Sequence, residues 1–213
     1  MTSCQCQGLE MLFNEKEARA KLKDYRANGP AKTTRILLDG LKAQGVRDLT
    51  LLDIGGGIGA IPHELLNSGA ASARNVDASS AYIRAAKEES VRQGHAERSV
   101  FQHGNFVDLA PDIATVDVVT LDRVICCYDD MQTLVALSAE RARKYYGLVF
   151  PKDSWWMRLF HPLLNFGLLI ERNPMRTFIH ATAAVDALLA EKGLKRIFQR
   201  NTILWQVMVY ARV

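Results

Sequence analysis

The chain has 213 residues, 48% hydrophobic and 23% charged, a balance that excludes a largely disordered or collagen-like protein and fits one compact α/β unit. Its net charge of +4 does not mark a nucleic-acid binder. The charge is uneven, however: residues 141–213 hold 12 Lys and Arg against 4 Asp and Glu, while residues 1–140 hold 15 against 19.

In chain order, residues 9–27 read as one amphipathic helix, stopped by Asn28-Gly29-Pro30. Residues 31–44 restart as a helix with Leu37, Leu38 and Leu41 on one face. From Asp48 a short apolar strand runs into Asp53-Ile-Gly55-Gly-Gly57-Ile-Gly59, with a helix at 60–68 behind it. Ala73–Val76 is the next strand and ends at Asp77. A Ser-capped helix over 79–93 follows, with Gly94 just past its end. Strands at Val100–His103 and Val116–Leu121 come next, the latter apolar on both faces as a central parallel strand should be. A helix at 131–143 leads to a fifth strand at Tyr145–Phe150. Residues 151–180 are irregular, too long for an ordinary loop, and read as a lid above the C-terminal edge of the sheet. A helix at 181–192 and strands at Leu194–Gln199 and Ile203–Ala211 close the chain. Only about three residues separate the last two strands, whereas a parallel crossover needs about a dozen, so the final strand must run antiparallel.

The glycines at 55, 57 and 59 allow a backbone with positive φ that lies against a ligand with no side chain between. The helix start behind them offers free N–H groups. Asp77, 18 residues after Gly59, ends the second strand, where a carboxylate accepts both hydroxyls of a ribose. Gly55, Gly57 and Ala60 also fit the dinucleotide fingerprint. Asp53 weighs against that reading, because it would set a negative charge beside a pyrophosphate; a zwitterionic amino acid next to a sulfonium tolerates it.

Leu51–Gly59 resembles motif I of the class I S-adenosylmethionine-dependent methyltransferases. Asp77 and Ala78 fall at that family's ribose-binding position, Gly104-Asn105-Phe106 resembles its adenine-holding segment, and Asp117–Asp122 its fourth-strand motif. The resemblance covers roughly residues 45–213. It implies a Rossmann-like α/β sandwich with a seven-stranded, mostly parallel sheet whose last strand is antiparallel, and S-adenosyl-L-methionine as cofactor. Asp53, Gly55, Gly57 and Gly59 would hold the methionine part, Asp77 the ribose, Asn105 with Phe106 the adenine, and Asp122 would lie beside the cofactor. The chain departs from the family at Asn105, where Asp is common.

In that fold the segment after the fourth strand, Asp122-Arg123-Val-Ile-Cys126-Cys127-Tyr128, lies beside the donor methyl group. Arg123, Cys127 and Tyr128 are therefore substrate candidates, and Asp122, Tyr128 and His161 candidate proton acceptors; His103 is a further candidate. None is a clear base, and in-line methyl transfer draws much of its rate from positioning. Trp155 and Trp156 in the lid are expected to wall an apolar substrate, with Lys152, Arg158, Arg172 and Arg176 supplying charge for an anionic group. Packing on the sheet edge and shallow peripheral contact with a membrane surface are the alternatives for the lid. Asn173–His180 looks faintly like the matching stretch of magnesium-protoporphyrin O-methyltransferases. The N-terminal helices would cover the cofactor cleft, with Tyr25 as a contact to the cofactor carboxylate.

Cys4, Cys6, Cys126 and Cys127 suggest neither a disulfide framework nor a metal site, since adjacent cysteines are poorly spaced for tetrahedral zinc. A reducing cytoplasm is the expected location. Trp155–Ile170 is interrupted by polar residues and shorter than the ~20 residues of a membrane span, so no transmembrane segment is expected. The chain is read as one domain: an N-terminal cover (1–45), a cofactor-binding core (46–150), a lid (151–180), and a final helix and strand pair (181–213). The expected activity is methyl transfer to a small, partly apolar and anionic molecule, with nucleic acid not expected as a partner. A nicotinamide-dependent oxidoreductase and a non-catalytic nucleotide-binding protein are the alternatives.

Overall fold

The computed structural model describes residues 3–213, with side chains from Gly8 onward except those of Phe160 and Leu164. The side chains of Cys4 and Cys6 lie outside the described residues. The expected single N-terminal helix is two helices, α1 (Ser3–Leu12) and α2 (Glu15–Asn28). The break is at Asn14, whose side chain accepts from the N–H groups of Lys16 (3.0 Å) and Glu17 (3.2 Å) while its amide donates to the Met11 carbonyl. One Asn thus closes one helix and caps the next. Helix α3 (Lys32–Lys42) buries Leu37, Leu38 and Leu41 as its spacing requires.

The remaining elements are β1 (Thr50–Ile54), α4 (Ala60–Asn67), β2 (Ser72–Asp77), α5 (Ser80–Arg92), β3 (Ser99–His103), the short α6 (Phe106–Leu109), β4 (Val116–Asp122), α7 (Met131–Arg141), β5 (Ala142–Pro151), α8 (Trp155–Ile170), α9 (Thr182–Glu191), β6 (Leu194–Asn201) and β7 (Trp205–Arg212). The seven strands lie in the order β3-β2-β1-β4-β5-β7-β6, and β7 runs antiparallel to both β5 and β6. The short connection between β6 and β7 permits nothing else.

Two apolar layers follow from the period of two along each strand. Leu52, Val119, Leu148 and Met208 face one layer, and Leu51, Val118, Val149 and Val207 the other. Strand order reverses between β1 and β4, so a crevice opens beyond their C-terminal ends. Helix α2 is pinned over that end of the sheet by Arg26, which donates to the buried Glu89 of α5 at 2.8 Å.

The 151–180 stretch differs from expectation, because most of it is the helix α8. Pro162 lies inside this helix on an exposed position, where the loss of one backbone bond meets solvent. Asn165 ties α8 to the following segment: its amide donates to the Thr177 carbonyl (3.0 Å) and its oxygen accepts from the Thr177 N–H (2.8 Å).

Candidate functional site

A cavity of about 490 Å³ lies at the crevice, walled by the ends of β1, β2 and β4 and covered by α2 and the start of α3. Asp53, Gly55, Gly57, Asp77, Ala78, Asn105, Phe106, Asp122, Arg123, Cys127 and Tyr128 all line it. Gly59 begins α4 just behind that wall. Trp155, Trp156, His161 and His103 do not line it.

The glycine turn is built as its composition demands. Gly55 and Gly57 have φ of +63° and +55°, which a residue with a Cβ rarely adopts. At Gly57 a Cβ would meet nothing closer than the Tyr82 ring at 3.7 Å, so the backbone there presents an open face to the cavity. Asp77 underpins the turn, accepting from the Gly57 N–H (2.8 Å) with one oxygen and from the Ser79 N–H (2.7 Å) with the other. Burial pushes its carboxyl up to about 6, against the pull of those two N–H groups. The two oxygens keep further lone pairs toward the cavity, so the donor set of a ribose fits.

Asp53 lines the cavity from a buried position. It is 1% exposed, and one oxygen accepts from the Thr120 hydroxyl at 2.6 Å. Its other oxygen and the Asn75 side-chain oxygen are both buried without a partner, beneath Gly56. Burial, with the charges of Asp122 and Asp77, pushes the Asp53 carboxyl up to about 8 from an ordinary 3.8. The folded chain therefore holds a proton between about pH 4 and pH 8 that the unfolded chain has released. Stability falls as pH rises through that window, a cost on the order of a few kcal/mol. Asp53→Asn removes the cost and offers an amide to the unpartnered Asn75 oxygen. Its melting temperature should exceed the parent's by about 4–8 °C at pH 8, with the gap closing toward pH 5. Calorimetry at both pH values checks this, and parallel pH profiles would refute it.

Several expected contacts are engaged elsewhere. Asn105 caps α6, donates to Asp108 at 2.9 Å and accepts from the buried Tyr128 hydroxyl at 3.0 Å. Its amide is thus held within the chain, and the Tyr128 hydroxyl is a brace for it, not a poised base. Phe106 is a core residue that shows one edge to the cavity. Tyr25 also lines the cavity, but its hydroxyl donates to Glu64 at 3.2 Å. Glu64 belongs to α4, so this hydroxyl braces α2 instead of awaiting a carboxylate. His161 pairs with the Thr177 hydroxyl at 3.0 Å, and His103 donates to the Ala78 carbonyl at 3.0 Å. Trp155 is 77% exposed on the outer face of α8.

The far end of the cavity is formed by a cluster that sequence reasoning caught only in part. Arg123 takes φ +63° and its N–H bonds the Val149 carbonyl at 2.8 Å, which turns the chain sharply after β4. Its guanidinium donates to Asp122 at 3.0 Å and stands 6.0 Å above the Trp205 ring. Thr34 of α3 donates to the other Asp122 oxygen. Trp205 and Thr34 were not singled out, since each reads as an ordinary position in a strand and a helix. Cys126 and Cys127 sit beside this cluster with sulfurs 3.8 Å apart. Their hydrogen bond holds the Cys127 thiol low and the Cys126 thiol high. Among the described residues, no group of three or more His, Cys, Asp or Glu side chains is placed to hold a metal ion. No helix among them is long and apolar enough to cross a membrane.

Residues 52–147 match the methyltransferase domain family. Among curated proteins none matches the sequence. Solved structures are similar throughout. A magnesium protoporphyrin IX methyltransferase from Synechocystis PCC 6803 with bound SAH is 16% identical, with a TM-score of 0.73, over 96% of this chain and 98% of that one. An O-methyltransferase family protein from Burkholderia thailandensis is 16% identical, with a TM-score of 0.72, over 96% and 62%. A geranyl diphosphate methyltransferase in complex with GPP and sinefungin is 16% identical, with a TM-score of 0.66, over 84% and 77%. At these identities the likeness is one of fold.

Proposed function

We propose that this class I methyltransferase, whose methyl donor is S-adenosylmethionine, acts on a small, partly apolar molecule that carries an anionic group. The observation that carries the reading is the division of one cavity into two ends. At one end lie the open backbone of Gly57 and the carboxylate of Asp77, at the other Arg123 over Trp205.

The donor supplies an electrophilic methyl on a sulfonium. Asp77 would accept the ribose hydroxyls, and the turn from Gly55 to Gly59 would lie along the methionine part. The Asn105 side chain is tied down by Asp108 and Tyr128, so that segment would hold the adenine by shape and by its backbone. Arg123 would pair with the acceptor's anionic group while Trp205 faces its apolar part. Asp122 fixes the guanidinium and is itself fixed by Thr34. No side chain stands out as a base, so catalysis would be mainly by proximity and orientation.

A cavity of about 490 Å³ is of the size that ordinarily takes one drug-sized ligand. The donor fills much of it, so an acceptor must be small or must leave part of itself outside. Solved enzymes of this fold that carry magnesium protoporphyrin IX and geranyl diphosphate in their names support an anionic amphiphile. The division of labour among helical cover, cofactor core and lid belongs to the same proposal.

Methyl transfer to paired acceptors tests it, each carboxylated aromatic acid being set against its neutral ester. Arg123→Gln should raise KM for the acids by about 10–100-fold, the worth of one charge-assisted pair, and leave the esters and donor affinity nearly unchanged. Equal effects on acids and esters would remove the anionic part of the reading. Failure of any acceptor in the panel to be methylated would remove the small-molecule part.

A further inference from the structure

Helix α8 leaves a broad apolar face exposed to solvent. Its large exposed apolar side chains are Trp155, Leu159, Leu163, Phe166, Leu169 and Ile170. At about 100° per residue they fall within an arc of about 120°. The opposite side carries the half-buried Met157 and Leu168, and on one flank of the arc Asn165 and His161 are bonded to Thr177. Polar side chains tether one flank of this helix to the body, and a broad apolar face is left exposed.

That face has a neighbour. The tip between β6 and β7 exposes Ile203 and Leu204, at 80% and 45%. The Leu204 carbonyl accepts from the Lys152 N–H at 2.9 Å, so the tip abuts the segment that leads into α8. Six to eight large apolar side chains next to one another exceed the scattered exposure normal for a free surface. Charge frames the patch. Lys152 lies at the start of α8, Arg172 just past its end and Arg200 on the strand that feeds the tip. Among the described residues none of the three makes an ion pair. Of the nearby acids, Asp153 is engaged by Arg158 and by Thr182, leaving the exposed Glu171 alone. An apolar stripe with basic side chains at its rim matches the boundary of an anionic bilayer, where apolar groups enter the acyl region and Lys and Arg meet lipid phosphates.

We propose that α8 and the β6–β7 tip form a face that docks on an anionic lipid surface. The face adjoins the cavity on two sides, through Thr177, which lines the cavity and holds α8, and through Trp205, which follows the tip. Docking would bring the cavity mouth to the bilayer boundary, where an amphiphile leaves its apolar part in lipid and presents its polar part to Arg123. That delivery rests on the proposed substrate class; the docking does not.

Flotation of the full chain with vesicles separates the two. Vesicles of phosphatidylcholine with about 30% phosphatidylglycerol should carry the protein up, and pure phosphatidylcholine vesicles should carry about tenfold less. Raising salt toward 0.5 M should weaken binding, because rim charges are screened. Leu163→Glu combined with Phe166→Glu should lower binding about tenfold or more, with unchanged circular dichroism and unchanged donor affinity. Lys152→Glu with Arg172→Glu leaves the apolar face intact and should lower binding to the anionic vesicles alone. Absence of binding by the parent chain, or binding that the paired Glu variants leave unchanged, overturns the proposal. So does self-association of the parent chain, abolished by Leu163→Glu and Phe166→Glu, without vesicle binding; that result assigns the face to a second copy. Vesicle binding without methylation of any amphiphile leaves docking standing and overturns the substrate class.

Discussion

Asp77→Ala is expected to weaken S-adenosylmethionine binding by about 100-fold or more, as read by calorimetry. Two ribose hydroxyls donating to one carboxylate are each worth about 1.5 kcal/mol or more, since the acceptor is charged, and about 3 kcal/mol is over 100-fold. The substitution also strips the acceptor from the N–H groups of Gly57 and Ser79, so the glycine turn loses its support together with the ligand. Asp77→Asn is the milder change. It keeps one acceptor for the turn and should cost about tenfold. The pH profile supplies a second readout. With the Asp77 carboxyl at about 6 in the free chain, a ligand that needs it ionised binds more weakly as pH falls below 6, by about tenfold per unit. Asp77→Asn should flatten that limb. A parent profile that stays level from pH 7 to pH 5, or an Asp77→Ala variant that keeps its affinity, would show that the ribose is held elsewhere.

The cofactor half of this molecule was legible because its demands are local. Glycines with positive φ, an acid at a strand end and a strand that must turn back within three residues are all written within short stretches. The acceptor half was legible only in part, because it depends on how distant pieces meet. Arg123 was found through its place after β4. What defines it, Asp122 on one side and Trp205 on the other, joins β4 to a strand about 80 residues later. The lid shows the limit most plainly. Its apolar and aromatic content was visible, but content does not say that the stretch is a helix or which face turns inward. Asn165 and His161 fix one flank of α8 to Thr177, and Trp155 stands exposed, off the cavity to which aromatic content alone assigns it. Asn14 broke a helix that intermittent apolar spacing had joined, because a single side chain caps in both directions.

Gly56→Ala is expected to be more damaging than its place in the motif suggests. Gly56 has no positive φ, unlike Gly55 and Gly57 on either side of it, and it occupies what looks like a free position in the turn. A Cβ there would stand 2.5 Å from the second Asp53 oxygen and 2.6 Å from the Asn75 side-chain oxygen. Neither can step aside cheaply. Asp53 and Asn75 are paired across β1 and β2, and Asp53 is held by Thr120. Overpacking of this kind costs about 1–3 kcal/mol, and loss of the Thr120 bond adds about 1 kcal/mol. The melting temperature should fall by about 5–10 °C. Donor affinity should fall at least about tenfold, because the displaced backbone is the one facing the ligand. Asn75→Ala in the same chain removes one of the two obstacles. The double variant should recover about half of the lost stability, a coupling of the size seen between residues in contact. If Asn75→Ala gives no rescue, the obstacle is Asp53 alone, and Asp53→Ala should then be the change that restores the fold. If neither rescues, the close approach beneath Gly56 is not what the motif's middle glycine is for.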